Sequence, residues 1–193
     1  MTNIYFVRHA QSDTTVQDDS SRPLTKKGME DCALVTQYLL DKGIAVVASS
    51  PYKRARDTVN GVAQAMGLEI LCMDGFAERR ISDGWIDDFA SYAQRQWNDF
   101  SYKLSNGESL KEVQLRNINA LNDLLERHVN QNIAVGTHGT ALSTIIHFYN
   151  KSFIYDHFRK IVDLMPWIVH FTFDGRQCIN MKSINVFQHR QIL

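Results

Sequence analysis

Ile4-Tyr5-Phe6-Val7-Arg8-His9, a short apolar run that breaks into a cation and an imidazole, decides how the rest of the chain is read. Aromatic and β-branched residues in so short a stretch predict a buried strand. A strand that stops at Arg8 beside His9 is a good place to hold an anion. Three later segments give that reading weight: Ser49-Ser50-Pro51-Tyr52-Lys53-Arg54-Ala55, Phe76-Ala77-Glu78-Arg79 and Gly136-Thr137-His138-Gly139. From the four come His9 and His138, Arg8 and Arg54, and Glu78.

Outward from the first strand the pattern alternates. Residues 3–7, 45–49 and 132–137 read as buried strands, each leading into a helix or a loop before one. A helix over 26–42 starts behind Thr25 as N-cap and stops at Gly43, with an apolar face through Met29, Ala33, Tyr38 and Leu39 or Leu40. A second covers 53–66 and ends at Gly67. A third follows Ser109, which forms a capping box with Glu112, and repeats Leu110, Val113, Leu121, Leu124 and Leu125 at helical spacing. Residues 141–149 read as helix, and 168–173 with 178–184 flank Asp174 and Gly175 as a hairpin.

Such alternation predicts an α/β fold, a three-layer α/β/α sandwich whose mostly parallel central sheet gains antiparallel strands near the C-terminus. Ligands collect at the carboxyl ends of strands in such sheets. His9 and His138 each follow a strand, and Arg54 opens a helix, where anions are favoured. Residues 83–106 differ, carrying Trp85, Phe89, Tyr92, Trp97, Phe100 and Tyr102 among polar residues. They read as a helical lid insertion whose rings dock it and shape a cavity, or as the core of an ordinary helical layer.

Length and charge bound the function. The 193 residues fit one domain, 1–193, large enough to bury a core unaided. Lys plus Arg and Asp plus Glu number 21 each, so no broad field favours nucleic acid or a membrane surface, and anion recognition must be local. Cys32, Cys72 and Cys178 are an odd set without metal-clip spacing, which fits thiols in a reducing compartment. The N-terminus enters a strand at once, so a cytoplasmic protein is expected.

Phe6-Val7-Arg8-His9-Ala10, the Leu24, Thr25 and Gly28 pattern, 50–55, Glu78 followed by Gly84 and Trp85, and Thr137-His138-Gly139 together resemble the histidine phosphatase superfamily, in its phosphoglycerate mutase-like branch. The match keeps its order from the N-terminus to about residue 140. The resemblance implies two-step phosphoryl transfer through a phosphohistidine on His9. Chemically, His9 attacks phosphorus through one ring nitrogen if a backbone carbonyl holds the proton of the other. Arg8 and Arg54 offer charged forks to the phosphoryl oxygens, and His138 adds hydrogen bonds. Glu78 is the expected proton donor to the leaving alcohol and then the acceptor from water, with a neighbouring phosphate favouring its protonated form. No metal and no cofactor is called for.

Ala10 stands where the family usually has Gly, and Thr15 where many members place Asn six residues after the nucleophile. Gln11, Thr15 and Gly139 remain expected substrate contacts. Arg54 fits the motif better than Lys53 or Arg56, while His128, His147, His157, His170 and His189 match none. The segment between Trp85 and Glu108 is short for enclosing phosphoglycerate, which favours a phosphatase over a mutase. A non-catalytic phosphate-binding module would also use the fold. The expected partner is a small-molecule phosphomonoester, not nucleic acid or a membrane. Arg79, Arg80, Arg95 and Lys103 suit a second anionic group on it, whereas Trp85, Phe89 and Tyr92 suit an apolar one.

Overall fold

A computed structural model describes residues 1–82, 86 and 88–188. Four strands, β1 (Thr2–Arg8), β2 (Ile44–Ser49), β3 (Ile70–Cys72) and β4 (Asn132–Thr137), run parallel, and β5 (Trp167–Asp174) and β6 (Gln177–Ile184) complete the sheet as an antiparallel hairpin. The order is β3-β2-β4-β1-β5-β6. β1 sends the chain toward one edge and β4 sends it toward the other, so a crevice opens between their carboxyl ends.

Period-two alternation divides the core into two layers. Ile4 and Phe6 of β1, Ile133 and Val135 of β4, and Phe171 and Phe173 of β5 face α4 (Leu110–Arg127) and α5 (Gly139–Tyr149). Tyr5 and Val7, Val47 and Ala134 face α1 (Lys26–Leu39) and α2 (Lys53–Met66). The three-layer sandwich and the terminal hairpin are as the alternation predicts.

Local chemistry sets the helix ends. Thr25 accepts from the Gly28 N–H at the start of α1, and the Ser109–Glu112 capping box is fully formed on α4. Gly67 closes α2 with φ of 66°. α1 differs from expectation in two ways. It ends at Leu39, so Gly43 closes the following turn rather than the helix. Its buried face is Cys32, Leu34, Val35 and Leu39, while Met29 and Ala33 are exposed. The cause is Gly28: a Cβ there would lie 2.1 Å from the Gln11 carbonyl oxygen, so this contact, absent from hydropathy spacing, sets the rotation of the helix.

Sequence spacing also leaves out β3, which has only three residues, and α6 (Tyr155–Ile161). In the expected lid, α3 (Phe89–Asn98) docks through its own small core of Ala93 and Trp97 against Leu110 and Phe158. Trp85, Asp83 and Gly84 lie outside the described residues, as does His189.

Candidate active site

The parallel pairing of β1 with β4 sets Arg8 opposite Thr137. The next residues, His9 and His138, therefore emerge side by side, and the His9 N–H donates to the Thr137 carbonyl at 3.0 Å. Their rings meet edge to face with centroids 5.2 Å apart.

His9 is buried, and its Nδ1 lies 2.7 Å from the Ala10 carbonyl oxygen. A carbonyl only accepts, so Nδ1 carries the proton and Nε2 keeps the lone pair. Arg54 Nε donates to that Nε2 at 3.2 Å. Burial first, then the charges of Arg54 and Arg8, holds the His9 imidazole well below its ordinary value of 6.5. It is therefore a neutral, oriented base at neutral pH.

Arg54 is buried at the first turn of α2 and reaches from His9 to Asp19, whose carboxylate it pairs at 3.1 Å and whose carbonyl also accepts from it. Lys53 instead pairs with Asp57 at 2.7 Å, and Arg56 is exposed. His138 Nε2 sits 2.7 Å from Ser50 Oγ, and its buried Nδ1 has no partner among the described residues. Burial, then Arg54, pushes the His138 imidazole down as well.

Arg8 is arranged differently from the fork expected. Both its Nη atoms donate to carbonyls at the end of α6 and just beyond it, at Ile161, Val162 and Leu164, and among the described residues its buried Nε has no partner. Burial lowers its guanidinium to about 10, with Glu78 and Asp163 opposing the change, so it stays charged at neutral pH. Gly139 matters here through what it lacks, since a Cβ would lie 3.1 Å from both Arg8 Cζ and Nε.

Glu78 reaches the pocket from irregular backbone after a single 3₁₀ turn, Asp74–Phe76. Its Oε2 accepts from the Thr140 N–H at 3.0 Å, and Oε1 accepts from the N–H groups of Ala141 and Arg79. The carboxyl thus caps the N-terminus of α5, the helix that begins just after His138, a favourable place for negative charge.

Two expected contacts lie elsewhere. Gln11 is exposed and its Oε1 accepts from Thr25 Oγ1 at 2.9 Å, while the exposed Thr15 donates to Asp13 at 2.7 Å. Among the described residues neither hydrogen-bonds His9, Arg54, His138 or Glu78. Of the cations considered for a second anion, Lys103 pairs with Glu112 at 2.6 Å and Arg95 stacks on Tyr102. Arg79 is buried between Phe89 and Tyr92 and donates to Gln96.

Sequence reading passed over Ser50 as a partner of His138 and Tyr52, whose ring lies 5.2 Å from both Arg54 Cζ and the His138 centroid. It also passed over Arg116, which binds the backbone around Glu78. The signal for Ser50 and Tyr52 was their place inside the Arg54 motif. Arg116 gave none, lying 38 residues beyond Glu78 on an ordinary amphipathic helix.

A family model described as the histidine phosphatase superfamily (branch 1) matches residues 4–179, and the chain belongs to that superfamily of enzymes. Among its relatives, a probable phosphoglycerate mutase of Cronobacter sakazakii is 27% identical over 158 residues, covering 76% of this chain and 74% of its own. Phosphoserine phosphatase 1 of Hydrogenobacter thermophilus is 28% identical over 155 residues, covering 72% and 71%. In fold, a mutant phosphoserine phosphatase from Entamoeba histolytica in complex with phosphoserine superposes with a TM-score of 0.78 at 22% identity, covering 98% of this chain and 99% of that one. A mycobacterial glucosyl-3-phosphoglycerate phosphatase with inorganic phosphate gives 0.75 at 16% identity, covering 94% and 95%.

Proposed function

We propose that this chain hydrolyses small phosphomonoesters through a phosphohistidine on His9. The observation that carries the reading is the tautomer of His9: Nδ1 is tied to the Ala10 carbonyl, so Nε2 carries the lone pair, which accepts from Arg54 Nε until a phosphoryl group takes that donor over. Among the described residues the buried Arg8 Nε and His138 Nδ1 lack partners, and buried polar atoms demand them. A phosphoryl group would supply acceptors for the arginine, and a protonated oxygen or a tautomer change would satisfy the imidazole.

In the first step His9 Nε2 attacks phosphorus, the P–O ester bond breaks, and Glu78 gives its proton to the departing alkoxide. In the second, water attacks the phosphohistidine, Glu78 takes a proton back, and the P–N bond breaks to release phosphate. Oε2 of Glu78 accepts one backbone N–H where Oε1 accepts two, so Oε2 is the better seat for the travelling proton. The positive charges of Arg8 and Arg54 answer the charge on the phosphoryl oxygens, and no step in this scheme requires a metal.

Phosphatase rather than mutase chemistry is favoured by the short segment between Trp85 and Glu108, which offers little chain to seal a phosphohistidine from water. The names of the relatives make phosphoserine and 3-phosphoglycerate the first substrates to try. The free thiols of Cys32, Cys72 and Cys178 support a cytoplasmic setting, and among the described residues no helix is long and apolar enough to cross a membrane.

Phosphate release from these two compounds and from p-nitrophenyl phosphate, measured in chelator, tests the proposal. Wild type is expected to turn over, with His9→Ala at least about a thousandfold slower. Activity that disappears with chelator, or survives in His9→Ala, would defeat the phosphohistidine route. Interconversion of phosphoglycerates outrunning release would make the chain a mutase.

A further inference from the structure

Glu78 has no regular secondary structure to hold it, yet the proposed chemistry asks it to meet a leaving oxygen within a few tenths of an ångström. The backbone that carries it is held chiefly by one side chain, which takes three of its carbonyls. Arg116, on the second turn of α4, donates through Nη1 to the carbonyls of Gly75 (3.0 Å) and Ala77 (2.8 Å) and through Nη2 to the carbonyl of Glu78 itself (3.1 Å). Its remaining donors go to Glu108, Nε to Oε1 at 2.8 Å and Nη2 to Oε2 at 3.0 Å. All five guanidinium N–H groups are therefore accounted for.

Glu108 closes the arrangement from the other side, accepting from the Arg80 N–H at 2.9 Å. Burial pushes its carboxyl up, but the bond from Arg116 and that N–H together hold it below the usual carboxylate range, so Glu108 is ionised at neutral pH. Gly75 lets the 3₁₀ turn press onto α4, where a Cβ would come within 2.5 Å of Ala120 Cβ. Three carbonyls, one carboxylate and one close backbone approach thus fix residues 75–80 against a rigid helix.

We infer that Arg116, braced by Glu108, is a positioning residue for proton transfer, aiming Glu78 at the leaving oxygen. It does not touch substrate; it fixes where the carboxyl stands. A lysine cannot replace it, because three donors on a flexible stem cannot serve five acceptor contacts in a plane. The inference rests on the reading of Glu78 as the proton donor, and its test separates the two.

The test compares kcat/KM for two leaving groups. p-Nitrophenolate leaves with little need of a proton, whereas the alkoxide of phosphoserine or 3-phosphoglycerate, whichever wild type cleaves faster, needs one. Arg116→Lys is expected to lower kcat/KM on the alkyl ester at least about tenfold more than on p-nitrophenyl phosphate. Glu108→Gln, which keeps an oxygen acceptor, is expected to act in the same direction if Arg116→Lys folds poorly. Glu78→Gln fixes the scale. Equal losses on both esters in the Arg116 and Glu108 variants, with Glu78→Gln still selective, would reduce Arg116 to a structural role and overturn the inference. Equal losses in Glu78→Gln itself would overturn the proton-donor reading and this inference with it.

Discussion

His9 and His138 stand one residue past paired ends of a parallel ladder, whereas Glu78 stands on backbone that belongs to no strand and is held by α4 and the first turn of α5. The side proposed to hold the phosphoryl group takes its geometry from sheet hydrogen bonds. The side proposed to move the proton takes its geometry from side chains, chiefly the Arg116–Glu108 pair. Strand ends are stiff because each residue shares a cooperative ladder, while a loop is as precise as the groups that bind it. The two sides should therefore fail differently: damage to the first should weaken attack on every ester, and damage to the second should weaken only those with poor leaving groups.

The largest effect should come from the phosphoryl side. Arg54→Met removes the donor to His9 Nε2 and a charge beside the transferred group, and is expected to cost on the order of a hundredfold or more in kcat/KM. The loss should be equal on p-nitrophenyl phosphate and on an alkyl ester. A loss that follows the leaving group would mean Arg54 serves the proton side, and the division of the pocket would be wrong.

Acidification should sharpen the contrast through stability. His9 and His138 are held neutral in the folded protein, their pKa values pressed down from 6.5 by burial and nearby arginines. Below pH 6.5 the unfolded chain takes up protons that the folded chain refuses, so stability is complete above that pH and falls as pH drops toward the folded values. Each histidine contributes a slope of about 1.4 kcal/mol per pH unit in that window. Melting temperatures between pH 7.5 and 5 should fall less steeply in His138→Asn than in wild type. Parallel curves would show that His138 is protonated in the folded state.

A smaller effect is expected one layer out. Ser50→Ala removes the 2.7 Å contact to His138 Nε2 while leaving both histidines on their strands. Loss of one such bond predicts about a tenfold or smaller fall in kcat/KM, again independent of the leaving group. A fall as large as that of Arg54→Met would mean that the strand alone does not position His138.

What could be read in advance follows the same line. His9, Arg54 and His138 lie within short motifs whose backbone is set locally, at a strand end or a helix start, so their neighbours in sequence announce them. Gln11 and Thr15 lie in similar company but turn to Thr25 and Asp13, because an exposed side chain takes the nearest polar partner. Arg8 stands at a strand end that its neighbours in sequence mark, but the direction of its fork is not legible there, since the carbonyls that take its Nη atoms come more than 150 residues later.

The sequence by itself determined the alternating α/β order, the N-terminal caps of α1 and α4, the terminal hairpin and the places of His9 and His138 just past strand ends, because each depends on periodicity or on residues a few positions apart. Tertiary structure alone decided the rotation of α1 on the sheet, the binding of Arg8 to the end of α6 and the clamp of Arg116 on the backbone of Glu78. These depend on which backbone groups meet across the fold, and a hydrogen bond between distant residues leaves no period in the chain that makes it.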